Sequence, residues 1–172
     1  NKYEKVRKQI DPGFKLSKTL RSRVGSALKA MKTSKHMNTM KLTGCDIKYL
    51  KKHLETLFEP NMTWKNHGKW HIDHIIPCSS FDLTDKVQQQ MCFNWRNLQP
   101  MWQIDNLEKS GKFDQASKDI FCNLMTKVLA DAEANNTTDT TADLTTAELS
   151  ESSDTPETID ISPSLAQLLE YT

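Results

Sequence analysis

The C-terminal stretch, residues 131–172, most restricts what this chain can fold into. It carries 10 acidic residues, no Lys, Arg, Gly, Trp or Phe, and is rich in Thr, Ser and Asp. Such a segment cannot bury enough apolar surface to offset the entropy of ordering it. The sequence therefore predicts a disordered acidic tail and confines the packed core to the residues before it. The same break undoes the bulk net charge of +1. Residues 1–112 hold 21 Lys+Arg against 10 Asp+Glu, a net of +11, and residues 113–172 hold 2 against 12, a net of −10. A basic body points to a polyanion partner, with a merely solvated surface the equal alternative on charge alone.

Three segments follow from composition and patterning: a basic helical region over 1–60, a core over 61–130 and the acidic tail over 131–172. In the first, Asp11-Pro12-Gly13 reads as a turn. A helix capped by Ser17 is expected to run to Lys32, with Leu20, Val24, Leu28 and Met31 inside and Lys18, Arg21, Lys29 and Lys32 outside. Arg23 falls nearer the boundary. Residues 33–45 read as a polar connection turning at Thr43-Gly44. A second helix begins at the N-cap Asp46 and reaches Phe58, with a stripe of Ile47, Leu50, Leu54, Leu57 and Phe58. Trp64, Lys65, Lys69 and Trp70 interleave aromatic and cationic groups, a pattern found in core and in nucleic-acid contacts alike.

The chemical residues concentrate between Trp70 and Lys112. Strands are expected over 70–75 and 96–101, with a short helix over Asp85–Cys92 between them. A helix from Trp102 to Lys109, stopped by Gly111, follows, and a last helix over Asp114–Ala130 sets Ile120, Phe121, Leu124 and Val128 inward. Asp73 and Asn106 offer hard oxygen donors that suit Mg2+ or Mn2+. His74, with an ordinary pKa near 6.5, can take a proton from water near neutrality. Asn106 and Lys109, three apart, share one helix face. Pro77 ends the first strand, so Asp73 and His74 are expected not to diverge as mid-strand neighbours do. For an isolated Asp-His pair, a strand-end turn with satisfied polar groups is the alternative. Together the clusters form nearly a complete set for hydrolysing a phosphodiester with one divalent ion.

The run His71-Ile72-Asp73-His74-Ile75-Ile76-Pro77, followed by Asn97 and Asn106, resembles the HNH endonucleases. The resemblance implies an α+β chain built on a small ββα-metal (HNH) nuclease core, with flanking helices and the disordered acidic tail. It casts His74 as general base, Asp73 and Asn106 as ligands of one divalent metal ion, Mg2+ or Mn2+, and Asn97 as a brace hydrogen-bonding backbone across the loop between the strands. Lys109 falls where members of the family carry a cation near the phosphate, and His71 is a further neighbour able to touch metal or phosphate. Asn106 replaces the last histidine of the motif, which argues for Mg2+ over Zn2+ or Ni2+. Upstream, Leu20 to Arg23, Leu42 to Cys45, His53 to Glu55 and Met62 to Trp64 resemble a subfamily of phage, viral and mobile-element proteins. DNA is the implied partner, with Arg21, Arg23, Lys29, Lys69 and Arg96 as candidate contacts. The implied products are 5′-phosphate and 3′-hydroxyl ends. A catalytically idle DNA-binding or targeting module on the same fold is the alternative.

Cys45, Cys78, Cys92 and Cys122 form no Cys-x-x-Cys pair, so a structural zinc is not expected and buried free thiols in a reducing, intracellular compartment are. No apolar run approaches a membrane span and no signal peptide is visible. The chain begins at Asn1, as a piece of a longer protein would. In the tail, Ser164–Glu170 can form an amphipathic turn of helix on a protein partner, or remain loose.

Overall fold

A computed structural model of the chain describes residues 2–138. It is helix-rich with one small two-stranded sheet, an α+β arrangement. Two compact units divide at residues 118 and 119.

The first unit opens with α1 (Lys2–Ile10), which the sequence did not suggest because it buries no residue. Helix α2 (Pro12–Ala30) starts earlier than expected. Its N-cap is Asp11, whose carboxylate accepts from the Phe14 amide at 2.9 Å, and not Ser17. Asp-Pro is here a cap followed by a proline at the first helical position, where the missing N–H costs nothing. Leu16, Leu20, Val24 and Leu28 are buried, whereas Met31 lies beyond the helix and is exposed. The connection expected over 33–45 contains a short helix, α3 (Thr39–Thr43), capped by Asn38. It ends at Gly44 in the left-handed region (φ 72°), where an added Cβ would lie 2.7 Å from the Asn94 side chain. Helix α4 (Ile47–Thr56) has Asp46 as its N-cap, as expected, and closes at Leu57.

Strands β1 (Trp70–His74) and β2 (Leu98–Trp102) pair antiparallel, with Trp70 opposite Trp102, Asp73 opposite Gln99 and His74 opposite Leu98. Pro100 is accommodated because each strand of a two-stranded sheet keeps a free edge. Between them lies α5 (Lys86–Phe93), capped by Asp85. After β2 comes α6 (Gln103–Lys109), which packs on both strands.

One face of the hairpin joins the core. Leu16 and Leu20 of α2, Leu50 and Leu54 of α4, and Met62, Trp70, Ile72 and Leu98 form one cluster, so residues on both sides of position 60 share it. Each fully buried leucine contributes about 1.5–3 kcal/mol. Trp70 is wholly buried, and its indole N–H donates to the Thr63 carbonyl at 2.8 Å. Trp64 packs on Phe58 and Trp70, so this aromatic pair serves the core.

Helix α7 (Gln115–Thr138) begins in the first unit and continues in the second. Phe121 and Met125 are its buried pair, while Ile120 is exposed, a stripe rotated from the expected one. The helix also runs past Ala130, so residues 131–138, assigned by composition to the disordered tail, are helical. Ala130, Ala132 and Ala134 are strong helix formers and extend it despite the acidic charge. Residues 139–172, including the Ser164–Glu170 turn, lie outside the described residues.

Candidate functional site

Strand alternation sends successive side chains of β1 to opposite faces. Trp70 and Ile72 point into the core, and His71 and Asp73 point to the face covered by α6. There, Lys109 at the end of α6 donates to Asp73 Oδ2 at 2.5 Å and also to the His74 carbonyl. Both side chains of this ion pair are largely buried, at 18% and 14% exposure for Lys109 and Asp73. One helical turn earlier, the Asn106 amide meets His71 Nδ1 at 3.4 Å. The short α6 therefore brings Asn106 and Lys109 onto His71 and Asp73, as the three-residue spacing allows.

Asn97 is fully buried where α5 leads into β2. Its Oδ1 accepts from the Ile76 amide at 2.8 Å, and its Nδ2 donates to the carbonyls of Ile76 at 3.0 Å and Cys92 at 2.9 Å. Its own carbonyl accepts from the Ile75 amide at 2.9 Å. One side chain thus pins the loop leaving β1 to the end of α5.

His74 is placed differently from the sequence expectation. Its ring shares a pocket with Leu20, Arg23, Val24 and Phe93, 6.0 Å from the Phe93 ring, and not the face where Asp73 meets Lys109. Strand β1 keeps its pleat through His74, so the two neighbours do diverge. The His74 ring lies beside the Cys78 and Cys92 sulfurs. The neighbouring Cys92 thiol, followed by His74, lowers the Cys78 pKa, while proximity to Cys78 and burial raise that of Cys92. His74, Cys78 and Cys92 place their ligand atoms within 4.8 Å of one another, the only such group among the described residues. Spacing gave little warning of this. His74 and Cys78 are four apart across a strand end, but Cys92 arrives through the fold.

The candidate DNA contacts separate into two kinds. Arg21, Lys29 and Lys69 are exposed. Arg23 is half-buried and donates to the Ile72 carbonyl, tying α2 to β1. Arg96 is also half-buried, stacked 4.4 Å over the Trp95 ring, and burial lowers its pKa. Neighbouring histidines are structural in setting. His53 contacts the Leu98 carbonyl at 3.3 Å, and burial lowers its pKa. His67 packs 4.6 Å from the Trp70 ring, and burial, followed by the charges of Lys15, His71 and Arg23, lowers its pKa to about 4.

No family model and no solved structure matches the chain. Two uncharacterized proteins of Acanthamoeba polyphaga mimivirus are similar to it. One is 41% identical over 111 residues, covering 64% of this chain and 48% of the relative. The other is 42% identical over 113 residues, covering 65% and 49%. The chain spans about half the length of these curated relatives. Among the described residues no helix is long and apolar enough to cross a membrane.

Proposed function

We propose that the chain is a metal-dependent DNA endonuclease with an HNH-type ββα-metal site. The observation that carries this reading is the seating of α6 across the hairpin, which gathers His71, Asp73, Asn106 and Lys109 on one face. The donor set fits one hard divalent ion: Asp73 offers a carboxylate and Asn106 an amide oxygen, with His71 beside them. Oδ2 of Asp73 already compensates a cation, Lys109, so this largely buried carboxylate sits where positive charge is held. When bound, Mg2+ or Mn2+ would stabilise charge on the phosphate and the leaving 3′ oxygen.

The remaining work belongs to the chain's own residues. His74 takes the proton from the attacking water, which requires its ring to leave Cys78 and turn to the Asp73 side. Lys109, now paired with Asp73, would be free to face the phosphate once Asp73 held an ion. Asn97 holds the loop after His74 against α5 and so fixes where the strand ends. Arg21, Lys29 and Lys69 supply exposed cations for the DNA backbone, and 5′-phosphate and 3′-hydroxyl ends result.

A second reading, a DNA-binding or targeting module without catalysis, is favoured by the His74 ring lying with Cys78 and Cys92. Plasmid nicking in Mg2+ against EDTA separates the two. Cleavage in Mg2+ that EDTA removes is expected. DNA binding with no cleavage in either Mg2+ or Mn2+ selects the module. Asn106→His is expected to retain activity and shift the metal preference toward softer ions.

A further inference from the structure

We infer that His74, Cys78 and Cys92 form a second, soft-metal site that takes one Zn2+ ion, distinct in chemistry from the oxygen-rich face under α6. Two sulfurs and an imidazole are the donors that select zinc over magnesium. Their ligand atoms lie within 4.8 Å of one another. A tetrahedral ion with Zn–S bonds near 2.3 Å separates its ligands by about 3.8 Å. The three groups therefore need to close by at most about one ångström, a shift within reach of side-chain torsions.

The scaffold behind the triad is already fixed. Cys92 is wholly buried at the end of α5, and Cys78 opens the turn after Pro77. Asn97 hydrogen-bonds the Ile76 amide and carbonyl on the loop that carries Cys78, and the Cys92 carbonyl on the other arm. A brace that holds both ligand-bearing segments is what a metal site needs around its first ligands. His74 and Cys78 are half-buried rather than sealed, and with three protein ligands the fourth position of a tetrahedral ion would fall to water. Both sulfurs bind as thiolates, their protons passing to solvent.

The consequence for cleavage rests on the nuclease reading. An ion here fixes the His74 ring on the sulfur side and withholds it from water at Asp73, so zinc would switch the enzyme off while magnesium switches it on. The site itself does not depend on that reading, and its test reads binding alone.

The full chain, kept reduced with a phosphine that does not bind metal, is titrated with Co2+ and then with Zn2+. One equivalent of Co2+ should give a thiolate-to-cobalt charge-transfer band with the intense ligand-field absorption of a tetrahedral site, and Zn2+ should displace it. Cys78→Ser should cut the band to about half or less and weaken Zn2+ binding by about 100-fold or more, and His74→Ala should weaken both. Cys45→Ser should change neither. Cys92→Ser is less informative, because a fully buried thiol is replaced; circular dichroism checks its fold, and the half-buried Cys78 decides the question without it. Absence of a charge-transfer band in the unaltered chain would overturn the proposal. So would a band whose intensity and affinity Cys78→Ser leaves unchanged.

Discussion

On one face of the β1–β2 hairpin, Trp70, Ile72 and Leu98 are sealed beneath α2 and α4. On the other, His71 and Asp73 meet the seven-residue α6, whose Ile104 and Leu107 remain 70% and 71% exposed. The first face is apolar, long-range in sequence and closely packed. The second is polar, also joins residues some 35 positions apart, and is held mainly by Lys109 and Asn106. Stability resides in the first, which leaves the second free to present groups that a core would exclude. His74 sits where the two meet: its carbonyl receives Lys109 from the α6 side, while its ring lies with Phe93 and the thiols. The chemistry proposed here depends on that residue changing sides.

The largest effects on activity should come from the two neighbours at the end of β1, Asp73 and His74. Asp73→Ala is expected to abolish Mg2+-dependent nicking, and His74→Ala to slow it roughly 10²–10⁴-fold, the usual worth of a positioned general base. DNA binding, read by fluorescence anisotropy, should stay within a few-fold for both. Full activity of Asp73→Ala in Mg2+ would remove the α6 face from catalysis.

The opposite pattern is expected behind the hairpin. Asn97→Ala leaves the Ile76 amide and carbonyl and the Cys92 carbonyl without their buried partner. At about 1–3 kcal/mol for an orphaned group, not fully additive, the loss of stability should reach about 3–5 kcal/mol. Asn106→Ala, half-exposed on α6, should cost under about 1 kcal/mol. Urea unfolding of the two variants measures the difference, and equal losses would show that the faces are not divided in this way.

What the sequence revealed follows the same division. The stripe Leu50 and Leu54 behind Asp46, and Leu20, Val24 and Leu28 on α2, were legible because a helix that builds a core must repeat at its own period. Asn106 and Lys109 were placed on one face by spacing alone. Helix α1 left no trace because it buries nothing, and Asp11-Pro12 was misread because a turn and a helix start use the same residues. The direction of the His74 ring was not legible: Pro77 suggested that the pleat had ended, yet β1 continues through His74. The meeting of Cys78 with Cys92 depends on where α5 comes to rest, and no local pattern encodes that.

A smaller effect concerns the exposed cations. Arg21→Ala with Lys29→Ala should weaken DNA binding about equally across sequences. The slope of log K against log salt should flatten by up to about two phosphate contacts, each near 0.9 for duplex DNA. Arg23, engaged with the Ile72 carbonyl, should instead reduce stability when replaced. An unchanged slope in the double variant would put this side of α2 away from the DNA.

The smallest expected effect tests the packed face by pH. His67 lies against Trp70 with a buried Nδ1 that has no hydrogen-bond partner, and its pKa is lowered to about 4 from an ordinary value near 6.5. Between those values the unfolded chain holds a proton that the folded one lacks, so stability rises with pH across that window. The contribution is fully present above about pH 6.5 and is lost as pH falls toward 4. Because the ring is only partly buried, solvent screening keeps the effect below about 2 kcal/mol. His53, also lowered by burial, acts in the same direction, so the informative quantity is the difference between two proteins. His67→Phe keeps a ring against Trp70 and removes the proton site. Its urea midpoint should fall less steeply than that of the unaltered chain as pH drops below 6.5; the carboxylates of Glu4 and Glu55, whose pKa values are lowered by Lys18 and Lys51, are common to both proteins and cancel in the difference. Parallel acid limbs would mean that His67 accepts its proton without disturbing the Trp70 contact, and that the packed face is looser at this edge than its burial implies.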